Sequence, residues 1–239
     1  MDQRLHAARL SGSRMLSPRT RHLEFRVKGA SRFDFQPGQF LSFKALDEAR
    51  EFTRAYSIAS APRSDSSFEI CLNRVDEGFF SNFLCDLPVG GEVSFHGPHG
   101  FFLLKQPVRS SIFLATGTGI APIRAMIQWL FAESGRHHGH EFWLVFGNRT
   151  EEDIYYADEF AALAVQHPNF HFLPTLSRPG SAWKGARGYV QEHVRGLAQG
   201  RTDLDAYICG LKDMVSANRD LLIRQLGWDR RSVLFERFD

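Results

Sequence analysis

The chain has 239 residues, 43% of them hydrophobic and 23% charged, which suits a packed core and excludes a disordered chain. Its three cysteines exclude the disulfide framework of a small secreted domain, and they cannot alone build a four-cysteine zinc site or iron–sulfur cluster. A net charge of +2 gives no nucleic-acid signature. No apolar run approaches the ~18 residues of a membrane span and no signal-peptide core is present, so a protein of the cytoplasm without membrane insertion is expected.

Residues 1–33 hold eight basic and two acidic residues, so the rest of the chain is net acidic. This start could pass for a transit peptide. Residues 16–27, however, alternate as a strand does, with Leu23, Phe25 and Val27 on one face. Further short strands are predicted at 40–44, 55–59, 67–73 and 92–96. They are separated by turn signals at Pro37-Gly38, Ala61-Pro62, Gly90-Gly91 and Gly97-Pro98. The spacing predicts a small antiparallel β-barrel or sandwich, and the 22 phenylalanines suit its core. One stretch inside it, 81–87, has helical spacing, with Ser81 as its expected N-cap.

Past residue 107 the rhythm changes. Residues 112–116 read as a strand buried on both faces. A helix follows at 121–132, then strand 142–146, helix 157–166, strand 170–173, a short helix near 190–197, strand 206–209, helix 213–226 and strand 233–238. This alternation predicts a parallel sheet covered by helices. The chain therefore reads as two domains, a β domain over 1–107 and an α/β domain over 108–239.

Gly117-Thr118-Gly119-Ile120-Ala121-Pro122 follows a buried strand and opens a helix. Glycines let backbone approach a phosphate, and a helix N-terminus offers free N–H groups and a positive dipole end. Pro122 suits the first helical turn. In the β domain, Arg54-Ala55-Tyr56-Ser57 puts Arg54 and Tyr56 on one face and Ala55 and Ser57 on the other. Gly78-Phe79-Phe80-Ser81 leads into the short helix as a second phosphate cradle. Two anion sites on two domains suggest two phosphate-bearing cofactors meeting at a domain interface. His137, His138 and His140 share a glycine-containing connection without a defined ligand geometry and read as a solvated loop, so no metal site is expected.

With these motifs in order, and with Gly97-Pro98, residues 207–214 and residues 235–238 completing the set, the sequence resembles the ferredoxin–NADP reductase family nearly end to end. The resemblance implies an antiparallel β-barrel FAD-binding domain followed by an α/β parallel-sheet NAD(P)-binding domain. Arg54 is then expected at the flavin's phosphate, with Ala55 beside it. Tyr56 would lie against the isoalloxazine and Ser57 near its N5. Gly78, Phe80 and Ser81 would hold the pyrophosphate, which favours FAD over FMN. Gly117, Thr118, Gly119 and Pro122 would line the dinucleotide's pyrophosphate path, and Cys209 with Gly210 would sit near the nicotinamide. Glu236 would relay a proton or orient the nicotinamide, and Phe238 would cover the flavin. Ser57, Cys209 and Glu236 are the expected catalytic set. Relatives often end on a tyrosine; here Asp239 follows the aromatic.

Ser177-Arg178, Arg187 and Tyr189 resemble the family's plant-type pattern of a Ser-Arg pair followed by a basic residue and a tyrosine; the resemblance implies a 2′-phosphate site and NADP(H) over NAD(H), although NADH-using relatives also carry Ser-Arg. The resemblance implies hydride transfer at flavin N5 and one-electron delivery to a ferredoxin or flavodoxin-like carrier. The basic N-terminal stretch is a candidate docking surface for that carrier, and a monomer is expected. With no cluster of its own, the next acceptor is expected to be a separate molecule. The alternatives are a reductase component of an oxygenase system, a reductase releasing its flavin, and a non-catalytic flavin-bearing redox sensor.

Overall fold

The computed structural model describes residues 4–47 and 50–238. Asp239 lies outside the described residues. Among the described residues, twelve strands form two sheets of six.

By its contacts the chain divides into two compact units. The first holds Met1–Leu104 with Arg124–Ala132, and the second holds Lys105–Ile123 with Glu133–Asp239. In the first, β1 (Leu5–Ser17), β2 (Thr20–Val27), β3 (Phe40–Asp47), β4 (Arg50–Ser57), β5 (Ser67–Asn73) and β6 (Glu92–His99) lie in the order β4-β3-β6-β1-β2-β5. Every pairing is antiparallel. A bridge from Ile58 to Ile70 joins the two ends and closes the barrel. The phenylalanines fill it: Phe25 stacks on Phe68 at 5.4 Å, and Phe95 meets Phe68 edge-on at 5.3 Å. Such pairs add to the area they bury.

Two elements differ from what the sequence predicts. Residues 16–27 are not one strand. Ser17 pairs with Thr20 across a tight turn at Pro18-Arg19, and a 13-residue β1 precedes it. Proline lacks the N–H a continuing ladder needs. Nor does Ser81 cap its helix. Helix α1 (Phe79–Asp86) starts two residues earlier with Gly78 at the N-cap, and the Ser81 hydroxyl instead accepts from Val75 N–H at 3.0 Å and donates to Gly78 O at 3.1 Å.

The basic N-terminal stretch is largely paired within the barrel. Arg9 and Lys28 share Glu92, Arg19 meets Asp76, and Arg26 meets Asp65. These exposed pairs hold charge in place rather than supply much stability.

In the second unit, β7 (Ser111–Thr116), β8 (Phe142–Asn148), β9 (Phe170–Leu176), β10 (Ala186–Arg187), β11 (Asp205–Leu211) and β12 (Val233–Phe238) form a parallel sheet in the order β10-β9-β8-β7-β11-β12. Helix α2 (Ile120–Phe131) follows β7 after a short 3-10 turn, its residues from Arg124 onward belonging to the first unit, and α3 (Ser134–His137) and α4 (Ala157–Gln166) flank β8 in sequence. Helices α5 (Val190–Ala198) and α6 (Lys212–Arg219) bury Val190, Val194 and Val215 in one apolar cluster with Ile112, Val145 and Ile208 of the sheet. The helix expected over 213–226 is α6 continued by a π-helical turn at Asp220–Gln225. The histidine-rich connection is stapled from below, because Asn169 Nδ2 donates to the carbonyls of His137 and His140 at 3.0 and 2.8 Å. No helix among the described residues is long and apolar enough to cross a membrane.

Candidate active site

In the barrel unit the site grows from the end of β4 and the start of α1. Arg54 pairs with Phe43 and Tyr56 with Leu41 across the ladder, and both alternate with Ala55 and Ser57. Arg54 and Ala55 are exposed, while Ser57 is buried. The Tyr56 ring packs edge-on against Phe43 at 5.8 Å and tilted against Phe80 at 6.2 Å, which ties the strand to α1. Burial pushes the Tyr56 phenol up to about 12, so the ring stays neutral.

The chain before α1 is folded tightly on itself. A Cβ on Gly78 would stand 2.9 Å from Ser81 Oγ and 3.0 Å from Val75 Cβ. Asn82 Nδ2 donates to the carbonyls of Val75 and Gly78. The first helical bond runs from Asn82 N–H to Gly78 O at 3.1 Å. The N–H groups of Phe79, Phe80 and Ser81 therefore precede the ladder and are available to an anion. Arg74 closes the far side against Asp86 and Asn82.

In the α/β unit three strand ends meet. Cys209 on β11 lies between Ala115 of β7 and Glu236 of β12 in the sheet register. Beyond β7, Gly117–Gly119 make a 3-10 turn into α2, with Thr118 between the glycines and Pro122 in the helix's first turn. Gly119 must lack a side chain, since a Cβ there would stand 2.3 Å from the Cys209 carbonyl oxygen. Gly117 adopts φ +53° and a Cβ there would meet nothing within 4 Å, so one glycine packs against β11 while the other leaves open space. Thr116 Oγ1 accepts from Leu211 N–H at 3.2 Å, and a Cβ on Gly210 would clash with that same oxygen at 2.2 Å. The β7 and β11 turns are thus zipped together.

The Cys209 side chain is fully buried, and burial, reinforced by the Glu236 charge, pushes its thiol well above the usual range. It is a neutral thiol, poorly suited to act as a nucleophile. Burial also raises the Glu236 carboxyl to about 7, and its Oε2 is buried with no hydrogen-bond partner among the described residues. Phe238 ends the described part of β12 and pairs with Leu211.

Two domain families match the chain: the oxidoreductase FAD-binding domain over residues 7–103 and the oxidoreductase NAD-binding domain over residues 113–220. A Sorangium cellulosum (strain So ce56) protein named ferredoxin–NADP reductase B is 40% identical over 240 residues, spanning 97% of each chain. The chain belongs to the ferredoxin–NADP reductase family. The toluate 1,2-dioxygenase electron transfer component of Pseudomonas putida is 31% identical and covers 98% of this chain, which spans 67% of that protein. A solved ferredoxin–NADP+ reductase from Neisseria gonorrhoeae, with bound FAD and NADP, superposes with a TM-score of 0.83 over 99% of both chains at 18% identity, a likeness of fold.

As a ferredoxin–NADP reductase family member, the chain is an oxidoreductase with an FAD-binding and a nicotinamide-dinucleotide-binding domain. The residues present fit both groups. The α1 start offers N–H donors that precede its helical ladder, Ser57 is buried at the end of β4, and the Gly117 turn leaves room for backbone approach.

The adenosine-end candidates gather at the carboxyl end of the sheet's edge. Leu176 of β9 pairs with Arg187 of β10, so Ser177-Arg178 and Gly188-Tyr189 leave the two strands side by side. Ser177 N–H and Arg178 N–H donate to the carbonyls of Asn148 and Arg149. Arg178 is exposed, without a side-chain partner among the described residues. Arg187 differs, since its guanidinium donates to Trp183 O at 3.1 Å and Gly180 O at 3.5 Å, holding its own loop. Tyr189 is 62% exposed at the N-cap of α5, where Glu192 accepts its backbone N–H.

Sequence reasoning missed Thr116, whose role depends on a partner 95 residues away. It also missed Arg124 and Gln128, whose i, i+4 spacing on α2 was a visible signal with no visible partner.

Proposed function

We propose that this protein oxidises NADPH in preference to NADH and delivers the electrons singly to a small acidic carrier protein of the ferredoxin or flavodoxin kind. The observation that carries the reading is the junction of the Gly117–Gly119 turn, Cys209 and Glu236 at one end of the parallel sheet. FAD, when bound, supplies the exchange between two-electron and one-electron chemistry. Arg54, Gly78, Phe80 and Ser81 would hold its phosphates, with Ala55 and Tyr56 along the ring and the Ser57 hydroxyl free to donate or accept at N5. Gly117, Thr118, Gly119 and Pro122 would seat the dinucleotide's pyrophosphate. Cys209 and Gly210 offer the nicotinamide a small, uncharged wall. Glu236 holds a proton below about pH 7 and releases it above. Phe238 would shield the flavin face.

Arg178, exposed and without a side-chain partner among the described residues, supports NADPH, because a charge-assisted bond to a 2′-phosphate is worth roughly 1.5–3 kcal/mol. Tyr189 offers its exposed ring beside it, and Arg187 shapes the loop.

The acidic carrier is supported by a cationic surface in the α/β unit. Arg219 lies 3.8 Å over the ring of Phe235, which is 38% exposed, and Arg237 lies 5.5 Å from the same ring. Arg224, Arg230 and Arg237 stand close enough to lower the Arg219 pKa, after the larger effect of burial. An aromatic amid arginines suits a transient partner of opposite charge. The exposed charge of Arg237 on edge strand β12 discourages edge pairing and supports a monomer. The three free, buried thiols fit a reducing cytoplasm.

A second reading, the reductase component of an oxygenase system, is favoured by the likeness to the toluate dioxygenase component. Anaerobic reduction with each nucleotide, followed by reoxidation with ferredoxin, flavodoxin and oxygenase carriers, separates the two. The fastest reoxidation by ferredoxin or flavodoxin supports the first.

A further inference from the structure

Ser57 sits at the last residue of β4, and the four residues after it are gripped from several directions. Ile58, Ala59 and Ser60 are all fully buried. Ile58 N–H donates to Gln39 O at 2.9 Å, and Ala59 N–H donates to Glu69 O at 2.7 Å. Ser60 Oγ accepts from Glu69 N–H at 3.1 Å. Two further bonds come from side chains on α2. Arg124 Nη1 donates to Ala59 O at 2.7 Å, and Gln128 Oε1 accepts from Ala61 N–H at 3.0 Å. One helical turn separates the two side chains, so they share a face.

Arg124 is held in turn. It is 6% exposed, and the same Nη1 meets Glu69 Oε2 at 2.7 Å. Glu69 is buried too and takes Arg63 on its other oxygen. A buried ion pair of this kind is weak evidence for stability, because desolvation offsets the attraction. Apolar residues would join a helix to a strand at less cost. A guanidinium that grips one carboxylate and one backbone carbonyl instead fixes direction. The carbonyl it fixes lies two residues from Ser57.

We propose that Arg124 and Gln128 are positioning residues, which hold the backbone at 59–61 and so set where the Ser57 hydroxyl stands for the redox ring. The proposal rests on the reading that Ser57 faces the flavin. Neither residue touches the cofactor in this scheme; both act through Ser57.

The test uses the FAD-loaded full chain, with rates normalised to bound flavin. Gln128→Leu removes the acceptor at similar size, and Gln128→Glu keeps it. Arg124→Lys keeps the charge but loses the planar fork. In anaerobic stopped flow, Gln128→Leu and Arg124→Lys are expected to lower the limiting rate of flavin reduction by NADPH about tenfold, as small misplacements at a reacting centre do. The NADP+ dissociation constant should stay within about twofold, and Gln128→Glu should recover most of the rate. In a Ser57→Ala background the Gln128→Leu loss should disappear, because the two act in series. A slow Ser57→Ala enzyme beside a Gln128→Leu enzyme at the wild-type rate overturns the positioning role alone. Additive losses in the double variant do the same. A Ser57→Ala enzyme at the wild-type rate overturns the reading of Ser57 and this proposal with it.

Discussion

Glu236 stands in register beside Cys209 on neighbouring parallel strands, and one of its carboxylate oxygens is buried without a hydrogen-bond partner among the described residues. A carboxylate so placed is costly, and burial raises its pKa to about 7. The unfolded chain releases this proton near the ordinary value of 4.5, and the folded chain only near 7. Stability from this group is therefore fully present below 4.5 and is lost as pH rises to 7. Glu236→Gln should be more stable than wild type at pH 8, by on the order of 3 kcal/mol, with a smaller gap at pH 5.5. Urea unfolding at the two pH values measures this. The limiting rate of flavin reduction should inflect near pH 7 in wild type and lose that inflection in Glu236→Gln.

Gly119→Ala would push a methyl group to 2.3 Å from the Cys209 carbonyl oxygen, a backbone atom that cannot swing aside. The β7 and β11 turns must separate, which displaces both the pyrophosphate path and Cys209. Overpacking of this kind costs roughly 1–3 kcal/mol. A drop in thermal midpoint with weaker NADP+ binding is expected. Gly117→Ala has open space and strains only the positive φ, so it should cost less.

The two adenosine-end arginines should separate by nucleotide. Arg178→Ala is expected to raise the KM for NADPH roughly 10- to 100-fold while moving the KM for NADH within about twofold. Arg187→Ala releases the Trp183 and Gly180 carbonyls of its own loop, so it should weaken both nucleotides together. Steady-state kinetics with each nucleotide reads the contrast.

His22 is buried beside Glu69, and burial lowers its pKa to about 4, with the Glu69 charge opposing and Arg124 assisting. The unfolded chain takes up this proton near 6.5 and the folded chain only near 4, so its stabilising effect is lost as pH falls through that window. The loss is on the order of 3 kcal/mol. His22→Leu should flatten the stability profile between pH 6.5 and 4 in chemical denaturation.

Salt should weaken carrier binding. If the Arg219, Arg230 and Arg237 surface receives an acidic partner, the carrier-dependent rate falls as ionic strength rises. Arg230→Glu should lower it further at low salt while leaving flavin reduction by NADPH unchanged.

Much of this was legible in the sequence because it is local. Alternating apolar residues marked β2, β3 and β5, and glycines marked the phosphate turns where backbone must come close. The departures have local causes too. Pro18-Arg19 makes a turn without glycine, so β1 and β2 merged into one pattern. The serine that fits an N-cap sits in the first turn of α1 because Gly78 could cap without a side chain. The two-residue β10 carries too little pattern to detect. What sequence could not show is pairing at long range. Arg124 reaches a carbonyl 65 residues away, and Thr116 an amide 95 away. Such contacts exist only once the sheets form.

The central claim is most directly tested by anaerobic titration of the purified, FAD-loaded protein with NADPH, followed by addition of oxidised ferredoxin. The expected result is a yellow protein that bleaches with one equivalent of NADPH, faster than with NADH, and recolours as two equivalents of ferredoxin are reduced. A protein that binds FAD yet does not bleach with either nucleotide would contradict the account.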